Sequence, residues 1–317
     1  MRYKKNYMYY YIKKFDTKDA KDNAILQKFL HKANILFKDL KHKNIIKYYG
    51  LIEQNIQNNN NQNETNYYLI YEYVDNDSLS KLLKNKNDSN ILLIPEYFII
   101  KIMKQVLSGL KYLHHQNLAH GNIQPSSLYF DKNYNIKIGG LDLLGLYEDD
   151  IFKKDIINDD ILFINDHYEY FGKYCSPEML RGEEWNNKAD IFGLGLVIIS
   201  LMSSGDPIIL SKDQNNKIKR DIDLTKIKYN YNKDLINLIR KMINDDPKER
   251  PTSKESYEKL LAIEKNIKKS KNENNNFSNN VYAFNNNFYR NQINYNTNIN
   301  NFNENYNYNY NNNFYNR

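Results

Sequence analysis

Four stretches of this 317-residue chain carry side chains that could do chemistry. His120-Gly121-Asn122-Ile123-Gln124-Pro125-Ser126-Ser127 gathers an imidazole, two amides and two hydroxyls. An imidazole can move a proton near neutral pH, but an amide such as Asn122 cannot accept one. Gly140-Leu141-Asp142 follows with a single carboxylate. The segment from Leu143 to Tyr174 is acidic, with Glu148, Asp149, Asp150, Asp155, Asp159 and Asp160 among its charges, and it holds no Ser or Thr. It is expected to be a solvated loop with no Ser or Thr to phosphorylate. His114 and His115 adjoin on one turn and are expected to mark a helix end rather than a metal site. Cys175 is the one cysteine, so no internal disulfide forms and an oxidising compartment is not implied.

The elements that must position these groups read in two halves. Residues 1–74 are strand-rich around one helix. Tyr7–Phe15 alternates as a strand. Asp22–Asp39 carries Ile25, Leu26, Phe29, Leu30, Ala33, Leu36 and Phe37 at helical spacing. Ile45–Leu51 and Tyr67–Val74 are further strands, expected to be separated by an Asn-rich insert at 55–66. From Ser78 helices dominate: Pro95–His115, Asp190–Ser203, Tyr231–Asn244 and Ser253–Lys269, with short strands and turns over Gln116–Asp142. Beyond Lys271 the chain is mostly Asn, Tyr and Phe with few aliphatics, too little apolar surface to offset ordering entropy. The expected organisation is 1–74, 75–270 and a disordered Asn/Tyr-rich tail over 271–317.

The formal net charge of +7 could favour nucleic acid. However, the lysines are dispersed among Asp and Glu, so a mixed solvated surface is expected and nucleic acid is not. No apolar run follows Met1, and the longest, Ile191–Met202, is shorter than the roughly 20 residues that span a bilayer. No membrane association is expected. The expected compartment is the cytoplasm, with the nucleus as the other option.

Five strings in order carry a family resemblance: HKNIIKYYG, LIYEYVDNDSLSKLL, GLKYLHHQNLAHGNIQPSSLYFDKNYNIKIGGLDLL, YCSPEMLRGEEWNNKADIFGLGLVIISLM and LINLIRKMINDDPKERPT. Their order and spacing resemble the eukaryotic protein kinase domain over about residues 1–265. The resemblance implies an α+β bilobal fold, with a small strand-rich N-lobe truncated at its start and a larger helical C-lobe.

That family moves a phosphoryl group with a glycine-rich loop, a lysine–glutamate pair, a carboxylate base and two metal-holding side chains. No glycine precedes Gly50, so the loop has no counterpart in this sequence. Lys13 matches the third-strand lysine. The helix position that should pair with it matches Lys32, and no Asp or Glu occurs from Ala24 to Lys38. Lys13 is therefore vestigial on this reading, because two lysines repel. Tyr11 and Tyr129 match the residues above and below the adenine, where their rings are expected to occupy the slot. Asn122 stands at the base position, Gln124 at the assisting lysine, Ser127 at the metal-binding asparagine and Gly121 at the arginine that reads a phosphorylated loop. Gly140 stands at the metal-binding aspartate. Asp142 is the one substitute ligand, displaced about 6.6 Å along an extended segment.

The positions that hold the fold match instead. His120 packs the loop, Glu178 in SPE pairs with Arg250 in DPKERP, and Asp190 holds the loop backbone. Tyr48, Leu36, Leu141 and His120 match the stack joining the lobes. The resemblance therefore implies a pseudokinase, a binding or scaffolding module whose partner is a protein, such as an active kinase or its substrate. No cofactor is expected. Under the alternative, an atypical serine/threonine kinase, ATP and Mg²⁺ would bind. A third option is an assembly protein driven by the tail.

Overall fold

The alternating run Tyr9-Tyr10-Tyr11-Ile12-Lys13-Lys14-Phe15 lies inside β2 (Met8–Asp16), because β-branched and aromatic side chains fit a pleated surface. The computed structural model describes residues 2–5, 8–16, 20–57, 63–74, 76–88, 94–141, 173–212, 218–227 and 229–272. Asp142, the acidic stretch over 143–172 and the tail beyond residue 272 lie outside these.

β1 (Arg2–Lys5), β2, β3 (Tyr48–Gln57) and β4 (Asn63–Glu72) form one antiparallel sheet in the order β1-β2-β4-β3. α1 (Ala20–Lys38) buries Leu30, Ala33 and Phe37, the i, i+3, i+7 stripe of an amphipathic helix. Burying a Leu or Phe side chain contributes about 1.5–3 kcal/mol relative to exposure. Leu36, expected on the same stripe, is half-buried.

One expectation is corrected here. The two ends of the Asn-rich insert extend the strands it was expected to separate: Asn55 pairs with Thr65, Ile56 with Glu64 and Gln57 with Asn63. The backbone ladder is indifferent to side-chain composition, and the side chains add their own bond from the Thr65 hydroxyl to Asn55 Oδ1 at 3.0 Å.

The helical half contains α2 (Leu79–Asp88) and α3 (Glu96–His115), then β5 (Leu128–Phe130) and β6 (Ile136–Ile138) as a hairpin. Next come α4 (Pro177–Leu180), α5 (Lys188–Met202), the hairpin β7 (Ile208–Lys212) and β8 (Ile218–Ile222), α6 (Lys233–Met242) and α7 (Ser253–Asn272). α5 is buried from Ala189 to Met202, which makes its apolar run a core helix. Gly193 permits its close approach to the 120–127 loop, since a Cβ there would lie 2.7 Å from the Ile123 carbonyl oxygen. Residues 1–264 form one unit, and the last residues of α7 belong to a second, 265–317.

The lobes are pinned through β6. Ile46 N–H donates to the Ile138 carbonyl at 2.8 Å, and Ile138 N–H to the Asn44 carbonyl at 2.8 Å. The buried Asn44 amide donates to the Ile136 carbonyl at 2.8 Å. Glu72, at the end of β4, pairs with Lys137 of β6 at 2.7 Å.

Candidate active site

The 120–127 loop is held from beneath by one carboxylate. Asp190 Oδ1 accepts from Gly121 N–H at 2.8 Å, and its Oδ2 accepts from His120 N–H at 2.8 Å. Asp190 is buried in the first turn of α5, where carboxylate charge also suits the helix dipole. His114 gives a second support: its Nε2 lies 2.9 Å from Asp190 Oδ2 and its Nδ1 2.9 Å from the Ser253 hydroxyl. His115 is exposed. The histidine pair therefore divides into a buried brace and a surface residue.

His120 is fully buried. Its Nε2–H donates to the Gly139 carbonyl at 2.8 Å, while Nδ1 accepts from Asn122 N–H at 3.2 Å. Those two bonds assign the neutral Nε2–H tautomer. Gly121 sits at φ +77°, and a Cβ there would lie 2.8 Å from the Trp185 ring. Trp185 thus packs where an arginine side chain would begin. Gly121→Arg is expected to destabilise the chain by about 1–3 kcal/mol from backbone strain alone. Its denaturant midpoint should fall below that of an exposed substitution such as Ser126→Arg.

At the base position, Asn122 Oδ1 accepts from Gln124 Nε2 at 2.8 Å. The positions of base and assisting lysine are therefore an amide pair bonded to each other. Ser127 is buried and turned inward. Its hydroxyl accepts from Gln124 N–H at 3.1 Å and stands 2.9 Å and 2.8 Å from the carbonyls of Asn122 and Gln124, to which it donates. It latches the turn Pro125–Ser127. Gly140 takes φ +70°, with its Cβ site 3.3 Å from Ser127 Cβ. Neither Ser127 nor Gly140 presents a carboxylate, the usual protein ligand of Mg²⁺, and Asp142 lies outside the described residues. Among the described residues no group of three His, Cys, Asp or Glu could hold a metal.

On the sheet side, Lys13 Nζ lies 5.0 Å from the centroid of Phe15 on its own strand, a cation–π geometry. α1 is tied to the sheet through His31 and Asn34. His31 Nε2 lies 2.7 Å from Glu53, and the Tyr48 hydroxyl donates to Asn34 Oδ1 at 2.8 Å. The expected inter-lobe stack has Tyr48, Leu141 and His120 buried. Tyr48 is flanked by Phe37 at 5.5 Å and Tyr71 at 5.4 Å, ring centroid to centroid. Burial raises its pKa. The two slot tyrosines behave differently. The Tyr129 ring packs on Gly139, whose absent Cβ would lie 3.0 Å from it. Tyr11 is 48% exposed and tilts on Tyr71 at 6.4 Å. Tyr71 is its cross-strand partner on β4 and is buried.

Glu178 and Arg250 form a bidentate pair, with both N···O distances 2.7 Å. Burial would raise the Glu178 pKa, but the hydrogen bonds from Arg250 and its own backbone outweigh it, and the carboxyl titrates below its ordinary range. The Arg250 guanidinium also lies over the Phe192 ring at 4.8 Å, and that of Arg220 from β8 at 4.7 Å. Arg220 donates to the Cys175 carbonyl, so the β7–β8 hairpin braces the segment before α4. Burial pushes the Cys175 thiol up to about 11, far from a reactive thiolate.

Sequence reasoning missed Trp185, His114 as a brace, the Asn122–Gln124 bond and the hairpin. Only the hairpin left a signal: the strand-forming runs Ile208-Ile209-Leu210 and Ile218-Lys219-Arg220 on either side of a polar gap.

The family model of the protein kinase domain matches residues 1–261. The Dictyostelium discoideum protein named probable serine/threonine-protein kinase nek2 is 27% identical over 249 residues, which are 76% of this chain and 53% of that protein. Mouse serine/threonine-protein kinase Nek2 is 28% identical over 246 residues, 75% of this chain and 51% of that protein. Yeast cell cycle serine/threonine-protein kinase CDC5/MSD2 is 26% identical over 260 residues, 75% of this chain and 33% of that protein. The chain spans about half the length of the two nek2 relatives. The match over residues 1–261, together with the loop, its aspartate and the Glu178–Arg250 pair in their places, makes this chain a member of the protein kinase domain family.

Proposed function

We propose that the chain is a pseudokinase, which binds a protein partner and transfers no phosphate. One observation carries this reading: Asn122 and Gln124 are hydrogen-bonded to each other at the base position. An amide has no lone pair basic enough to take the hydroxyl proton of a substrate at neutral pH, and loss of a general base costs about 10²- to 10⁴-fold. Ser127 and Gly140 remove the metal ligands as well, so the charge on a transferring phosphoryl group would go unopposed. The residues that keep the loop in shape, Asp190, His120 and His114, do not depend on chemistry being performed. A partner such as an active kinase or its substrate would meet a fixed surface.

The test is nucleotide binding. A ligand at roughly 100 times its Kd raises stability by about 2.7 kcal/mol. Millimolar Mg²⁺·ATP is expected to leave the melting temperature unchanged, and a clear rise would count against the proposal. The second reading, a serine/threonine kinase, draws on the names of the similar proteins. It requires labelled phosphate to appear on a protein substrate.

A further inference from the structure

Far along the chain from the 120–127 loop, α6 shows two faces. Leu235, Leu238, Ile239 and Met242 are buried in the core. Lys233, Ile236, Asn237 and Arg240 recur at i, i+3, i+4 and i+7, which is also one face of a helix. This second stripe forms one wall of a surface groove whose other lining includes Leu224, Ile227 and Tyr229.

The groove has an aromatic lip and two cations. Tyr229 is exposed and sits edge-on to Tyr231 at 4.9 Å. Tyr231 is buried, and its hydroxyl donates to the Ile94 carbonyl at 2.7 Å. Lys233 and Arg240 are exposed and make no hydrogen bond or ion pair among the described residues. Two turns of helix separate them by about 10.5 Å. The neighbouring carboxylates are engaged elsewhere. Asp223 accepts from Thr225 N–H at 3.0 Å and from its hydroxyl at 2.6 Å, and Glu96 accepts from Asn232 N–H at 2.5 Å. Asp234 lies one residue from Lys233, about 100° around the helix and off the stripe.

We infer that this groove docks an acidic amphipathic helix of a partner protein. Two carboxylates seven residues apart on that helix meet Lys233 and Arg240, and the apolar side chains between them enter beside Tyr229. Charge complementarity at matched spacing points to this occupant: a strip of Ile236 and Asn237 bounded by two exposed cations fits a partner strip bounded by two anions. The surface is separate from the Asn122 site and does not depend on whether the chain transfers phosphate.

The probe is a labelled helical peptide with Glu at i and i+7 and Leu at i+3 and i+4, titrated with the full chain and followed by fluorescence anisotropy. Saturable binding is expected, weakening with salt. The double variant Lys233→Glu, Arg240→Glu should lose about tenfold or more in affinity. A peptide carrying Lys at i and i+7 should restore binding to that variant. Asn237→Glu, which sets a carboxylate between the two cations, is an independent variant expected to weaken binding too. Melting temperatures equal to the parent's establish that both variants are folded. Equal affinity for a scrambled peptide of the same composition overturns the inference, as does unchanged affinity in both variants. Equal competition by single-stranded DNA or by vesicles of anionic lipid, lost in the same variants, also overturns it by assigning the groove to anionic polymers or membranes.

Discussion

Glu178→Ala or Arg250→Ala is expected to lower the unfolding free energy by about 3–5 kcal/mol, because each leaves the other ion buried and unpaired. Arg250 is 1% exposed and Glu178 2%, so water cannot replace the lost partner. Arg250 has more to lose, since its guanidinium also donates to the carbonyls of Asn244 at 2.7 Å and Asp245 at 3.1 Å. Replacing both residues together, by Ala and Met, should cost less than the sum of the single changes. Denaturant midpoints measure this, and midpoints unchanged in both single variants would remove the pair from the scaffold. The pH dependence has a definite sign. The folded pKa of Glu178 lies below its ordinary 4.5. Its contribution is therefore complete above that pH and is lost as pH falls through the depressed value. The deficit of Glu178→Gln relative to the parent should be largest near neutral pH and should shrink in acid.

On the pseudokinase proposal, single carboxylate substitutions at Asn122 and Gly140 are expected to yield no activity. Asn122→Asp returns a base and keeps an acceptor for Gln124 Nε2, so the variant should fold. Gly140→Asp returns a ligand in a left-handed conformation that Asp tolerates better than most residues, although its Cβ would press on Ser127 Cβ at 3.3 Å. Neither variant should transfer labelled phosphate to a protein substrate or to the chain itself. The two together should also fail, because residues acting as a unit are strongly non-additive and Ser127, Gln124 and Lys32 are unchanged. Restoring Ser127→Asn removes the hydroxyl that latches the turn, so it should also lower stability by about 1 kcal/mol. Transfer by the unmodified chain, abolished by Lys13→Met, would sink the pseudokinase proposal. Transfer appearing only in the double variant would mean that the slot beside Tyr129 admits nucleotide.

The family was legible from five strings because each local segment carries its own pattern, and their order survives low overall identity. The side-chain chemistry available at Asn122, Gln124, Ser127 and Gly140 was legible for a similar reason. What a side chain can accept, donate or ligate is a property of its atoms and needs no neighbours. The helices α3, α5 and α6 were legible within a few residues from apolar spacing alone. The pairing at the ends of the Asn-rich insert was not, since it comes from backbone groups that composition does not report. Nor could composition place the groove beside α6, which depends on Tyr229 meeting Tyr231, whose hydroxyl is bonded to the Ile94 carbonyl. Only the tertiary structure decided that Asn122 and Gln124 bond to each other, that Trp185 covers Gly121 and that His114 joins Ser253 to Asp190. Ser253 stands 139 residues from His114, and Asp190 76. Contacts of that separation are set by how α3, α5 and α7 pack, through burial summed over the whole core, and no local pattern encodes them.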